Sequence, residues 1–173
     1  MKKMIFILTA LTTLNSFSYT RLSSDEFLSG LFTSKATKEI MKDTFDYEND
    51  LAVVSDRLIT IEDAKLDAIE GLTNSIYELS FSTLKNLFEN TKLTGQNFDY
   101  ETMKLMADDI SKEIIELKKY SFAKTVELQN TGKYLTLAKI SREEVEKITK
   151  EHFRKRLFNV IQRLNDYYHE LGK

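Results

Sequence analysis

Apolar positions along the 173-residue chain recur at three periods, and each period predicts a different element. Residues 61–79 carry Ile61, Ala64, Ala68, Ile69, Leu72, Ile76 and Leu79 at intervals of three and four, the stripe of an amphipathic helix. Thr60 stands before it as an N-cap, with Asp63 three residues on at the capping-box position. Met103, Met106, Ile110, Ile114 and Leu117 predict a second helix, opened by Asp99. Ahead of both lies "DLAVVSD", residues 50–56, a short valine-rich run bounded by polar residues that reads as a buried strand.

Residues 120–140 switch to a period of two and read as a β-hairpin. "QNTG" is its turn, with Gly132 free to take positive φ. Leu135 and Leu137 fall on one face of the returning strand, and Tyr134, Thr136, Ala138 and Ile140 on the other. Phe122, Val126 and Leu128 are expected to share one face of the outgoing strand. Ser141 and Glu144 then form a capping box for a long last helix. Within that helix Phe153, Leu157, Val160, Leu164, Tyr167 and Leu171 follow a heptad-like spacing for fewer than three heptads. This stripe either packs on the domain or meets a partner helix, and its six residues are the candidate partner-binding set.

Residues 77–90 are ambiguous. Tyr77, Leu79, Phe81 and Thr83 alternate with polar residues as a strand would, and Ser80, Ser82 and Thr83 weaken a helix. A strand or a broken helix is the favoured expectation, with helix continuation through Leu84, Leu87 and Phe88 as the alternative. Residues 90–99 are expected as a loop, with Gly95 and Asn97 as turn residues. The predicted fold is α+β: a small, largely antiparallel sheet packed by amphipathic helices, ending in a long C-terminal helix.

The ends bound where the protein acts. Lys2 and Lys3 precede an uncharged apolar run, Met4–Leu14, and Ser16-Phe17-Ser18 supplies small residues for cleavage after Ser18. Residues 1–18 are therefore expected to be a signal peptide. The run falls short of the ~20 residues that cross a bilayer, though an uncleaved anchor is the alternative. Residues 19–49 form a leader, in which Ser24 caps a short amphipathic segment bearing Phe27, Leu28, Leu31 and Phe32. Residues 50–173 form one α+β domain. The expected localisation is exported, either periplasmic or secreted, and contact with a membrane is limited to an uncleaved signal or a peripheral association.

Composition then narrows the chemistry. Removing the two lysines of residues 1–18 takes the net charge from −2 to −4, which argues against a nucleic-acid partner. With no cysteine there is no disulfide framework, thiol nucleophile or lipid-attachment site. Five glycines supply no phosphate-binding loop, and no GxSxG elbow is present. His152 and His169 stand about 25 Å apart on one continuous helix, too far to share a metal. The acid pairs Glu62-Asp63, Asp108-Asp109 and Glu143-Glu144 point about 100° apart on their helices, so they do not converge. Arg154, Lys155 and Arg156 are the one basic cluster, read as a solvated face. No cofactor, metal or catalytic residue is expected.

Two stretches, "LAVVSD…TIEDAKLDAIEGLTNSI" and "GKYLTLAKISREEVEKI", resemble the membrane-associated twenty-kilodalton lipoprotein family and the related N-terminal domain of a flagellar assembly protein. Ala64, Ala68 and Leu72 sit where that family has its alanine-rich helix, and residues 134–148 match its closing strand and helix. The resemblance covers about residues 50–150. It implies a small α+β domain of the bacterial cell envelope without known catalytic residues. The chain departs from the family in lacking the lipid-attachment cysteine, so a lipid anchor is not carried over. The functional expectation is a non-enzymatic envelope protein acting as a structural or interaction module. The alternatives are a periplasmic ligand carrier or enzyme with an acidic cleft, and a mainly helical adhesin-like protein.

Overall fold

The computed structural model describes residues 44, 46, 48–91, 99–128 and 131–171. The expected signal peptide, nearly all of the leader and residues 92–98 of the expected loop lie outside the described residues, and α1 takes in the first two residues of that loop, Asn90 and Thr91. The element order is β1 (Asp50–Val54), α1 (Ile61–Thr91), α2 (Tyr100–Glu116), β2 (Ser121–Leu128), β3 (Lys133–Ser141) and α3 (Arg142–Leu171). Among the described residues the strands form one antiparallel sheet in the order β1-β3-β2. The fold is α+β as expected, three helices beside one three-stranded sheet among the described residues.

The hairpin β2–β3 closes through Gly132 at φ +59°. β1 adds to the other edge of β3, Leu51 opposite Ile140 and Val53 opposite Ala138. The pairing continues past β1: Ser55 donates its N–H to the Thr136 carbonyl and accepts the Thr136 N–H on its hydroxyl. Alternation along β3 separates two apolar clusters. Ala138 and Ile140 join the helices in the main core, and Leu135 and Leu137 lie on the opposite face.

β2 departs from the expected alternation. A bulge between Phe122 and Lys124 shifts the register, so Phe122 pairs with Ala138 on the helix side while Val126 pairs with Leu135 on the outer face. Lys65 of α1 stands over the Phe122 ring at 5.5 Å. The extra residue breaks the period of two, and Phe122 therefore does not share a face with Val126 and Leu128.

α1 starts as its sequence dictates. The Asp63 N–H bonds the Thr60 hydroxyl at 3.0 Å, and that hydroxyl donates to the Asp63 carboxylate at 2.7 Å. Ala64, Ala68, Leu72 and Ile76 are fully buried. Gly71 lies so near β1 that a Cβ there would meet the Val53 Cγ1 at 2.6 Å.

The expected strand or break at 77–90 is corrected: α1 runs unbroken to Thr91. The stripe that starts at Ala64 continues through Ser80 and Leu84, both fully buried. Ser80 is accommodated because the Thr149 hydroxyl of α3 bonds it at 3.2 Å. The hydroxyls of Thr73 and Ser75 bond the carbonyls of Ile69 and Gly71, four residues back. The alternation of Tyr77, Leu79 and Phe81 is real in the sequence, but all three are half-buried on the flanks of the helical stripe.

α2 begins at the Asp99 cap, whose carboxylate accepts the Thr102 N–H at 2.7 Å. Hydrogen bonding from Thr102, side chain first and then backbone, holds the Asp99 carboxyl below its ordinary range. α2 ends in a Schellman motif: Lys119 N–H bonds the Ile114 carbonyl, Lys118 N–H bonds the Ile115 carbonyl, and Lys118 takes φ +51°. α3 begins directly at the end of β3, its Glu144 N–H facing the Ser141 hydroxyl at 3.5 Å. Glu144 completes no reciprocal box there; its carboxylate meets Lys119 at 3.1 Å.

Candidate functional site

The first half of α3 belongs to the core. Val145, Ile148, Thr149 and Phe153 are buried, and the Thr149 hydroxyl donates to the Val145 carbonyl at 2.8 Å, which leaves it to accept from Ser80. His152 faces Glu113 of α2 at 2.9 Å, a contact that ties the two helices together and supports the structural reading of that histidine. Leu157 and Val160 are half-buried against the core.

From Ile161 onward every described residue of α3 is exposed. The heptad-like stripe therefore splits into two parts. Phe153, Leu157 and Val160 pack on the domain, as one expectation had it. Leu164 is 51% exposed, and Tyr167 and Leu171 are open as well. The structure adds Phe158 and Ile161, and Tyr168, beside Tyr167, is 70% exposed. Sequence reading left Ile161 out because the heptad assigns one narrow seam, whereas a face that covers a domain is broader; Phe158 stands about 120° round the helix from the middle of that face.

At 100° per residue, Ile161, Leu164, Tyr167, Tyr168 and Leu171 fall within about 120° of the helix circumference. That arc continues the one on which Phe153, Leu157 and Val160 meet the core. Lys155, Asn159, Gln162, Arg163, Asp166, His169 and Glu170 occupy the opposite side. The free part, Ile161–Leu171, is about 16 Å long. Burying an aromatic or leucine side chain of this kind contributes roughly 1.5–3 kcal/mol, so the free face is a large unspent driving force for contact.

The basic cluster Arg154, Lys155 and Arg156 is exposed on the flank of this helix. Arg154 lines an open groove of about 310 Å³ with Glu143, Glu146, Lys147, Lys150 and Glu151, so its charge is diluted by acids one and two turns away. Lys150 pairs with Glu146 at 3.0 Å.

Elsewhere on the domain the grooves are shallow. One, about 480 Å³, is lined by Leu51, Asn74, Ser75, Glu78, Leu79, Ser82 and Arg142. Another, about 260 Å³, gathers Glu48, Glu143 and Glu146 beside Asn49, Ser141 and Arg142. Among the described residues the carboxyls whose titration is displaced, Asp46 and Asp99, both move downward. For Asp46 the cause is the Asn49 amide at 2.7 Å, then the Glu48 N–H at 3.0 Å. A general acid would need the opposite shift. Among the described residues no three His, Asp or Glu side chains converge to hold a metal. No helix among them is long and apolar enough to cross a membrane.

No family model, curated protein or solved structure matches the chain.

Proposed function

We propose that this is an exported, non-enzymatic protein of the bacterial cell envelope, and that it acts as an interaction module through the free end of α3. The observation that supports the reading most directly is the uninterrupted apolar arc, buried at Phe153 and open from Ile161 to Leu171. An amphipathic helix presenting anchors at i, i+3, i+4 and i+7 fits a hydrophobic groove or a second helix on a partner. The export signal at residues 1–18 and the resemblance of residues 50–150 to the envelope lipoprotein family support the location.

The body of the domain acts as a scaffold. Its core is continuous, and no buried side-chain nitrogen or oxygen among the described residues lacks a hydrogen-bond partner. The acidic-cleft alternative draws less support, because the groove containing Glu48, Glu143 and Glu146 is small and open.

Deletion of residues 161–173 tests the proposal. The shortened chain is expected to keep the melting temperature of the parent, since every described residue removed is exposed, and to lose capture of its envelope partner. A shortened chain that folds and captures the same proteins contradicts it.

A further inference from the structure

The apolar residues at the free end of α3 are complementary to themselves. Ile161, Leu164, Tyr168 and Leu171 follow one another at intervals of three, four and three, an order that reads the same from either end. An antiparallel copy centred on Asp166 therefore sets Ile161 opposite Leu171 and Leu164 opposite Tyr168. Tyr167 falls beside its own counterpart at the edge of this seam. The charges fit the same register. Arg163 and Glu170 are both exposed, and seven residues apart they share the flank next to Tyr167. Antiparallel pairing about a two-fold axis brings like flank to like flank, so each Arg163 stands across from the Glu170 of the other copy.

We propose that the occupant of this arc is a second copy of the chain, joined by antiparallel pairing of residues 161–171 about Asp166. The proposal rests on the reading of the α3 end as the interaction surface and names what covers it. The domain itself selects the orientation. Phe153, Leu157 and Val160, on the same arc, are packed on the core. In a parallel pair the second helix would run beside that stretch, into space the domain fills; in an antiparallel pair it runs on past Leu171 instead. The area suits a reversible dimer. Ile161, Leu164, Tyr167, Tyr168 and Leu171 are 47–70% exposed and together offer on the order of 500–600 Å² per copy. That is the lower end of what a specific interface buries on one partner, about 600 Å².

Sedimentation equilibrium of the chain from Tyr19 to Lys173, the form that the export reading predicts, tests this. A monomer–dimer equilibrium is expected, with a dissociation constant between ~1 µM and ~1 mM. Leu164→Asp should weaken it at least ten-fold while the circular dichroism spectrum stays that of the parent. Arg163→Glu and Glu170→Arg should each weaken it about three-fold or more, and the two together should restore it. The chain has no native cysteine, so engineered thiols report the orientation without background. On mild oxidation a mixture of Ile161→Cys and Leu171→Cys chains is expected to form a disulfide between the two variants. Ile161→Cys alone stays unlinked, because its two copies lie about 15 Å apart along the pair. A dimer that survives Leu164→Asp, or Ile161→Cys chains that link to themselves as readily as to Leu171→Cys, overturns the proposal. A monomer throughout the range that still captures envelope proteins through residues 161–171 also overturns it and leaves the interaction-module reading standing. A monomer that captures nothing overturns both.

Discussion

Gly71 shows how a single atom fixes the distance between α1 and the sheet. In an exposed helix interior, glycine to alanine stabilises by up to about 1 kcal/mol. Here the added Cβ would sit 2.6 Å from the Val53 Cγ1, on a β-branched side chain that is stiff at χ1. Gly71→Ala is therefore expected to destabilise by roughly 1–3 kcal/mol in urea unfolding, as overpacking does. Adding Val53→Ala should recover part of that loss. Lys118 is the opposite case: it holds φ +51° at the position where a Schellman motif favours glycine. Lys118→Gly is expected to raise stability by about 1 kcal/mol, since the left-handed conformation costs an ordinary residue roughly that much. Asp99 supplies a pH signature. Its folded-state carboxyl is lowered by its bonds from Thr102, so its contribution is present above the ordinary value of 3.8 and is lost as pH falls below it. The stability difference between the parent and Asp99→Ala, read by denaturant midpoint, should shrink between pH 6 and pH 3.

At the scale of elements, strong local signals in the sequence located most of the structure. The caps at Thr60 and Asp99, the turn at Gly132 and the two faces of β3 all follow from residues whose preferences are satisfied within a few positions. The features that sequence missed depend on distant partners. Ser80 argues against a helix until Thr149 is brought beside it, 69 residues away. Phe122 changes face because one extra residue is absorbed in a bulge, which no periodicity announces. The C-terminal stripe was visible as a pattern, yet only the structure shows that its first half is buried and its second half open. This division yields a paired prediction. Phe153→Ala should cost about 3–5 kcal/mol, the usual loss for a buried phenylalanine. Leu164→Asp and Tyr168→Asp should each stay within about 0.5 kcal/mol of the parent, because those side chains stand in solvent.

At the scale of the molecule, the helices, the sheet and the free end of α3 divide the work. The helices and the inner sheet face form a filled core that holds α3 rigidly through Val145, Ile148 and Phe153. The free end then projects with its apolar arc already in helical form, so a partner that binds it pays little ordering entropy. The sequence raised the expectation of export and holds no cysteine and no phosphate-loop motif; the structure adds an exposed apolar arc at the end of α3. The most direct measurement is quantitative capture from envelope extract by the parent chain and by the Leu164→Asp/Tyr168→Asp double variant, with matched circular dichroism spectra. The account predicts that the double variant loses at least nine-tenths of the specifically captured partner, a second copy of the chain included. Equal capture by the two folded proteins would contradict it.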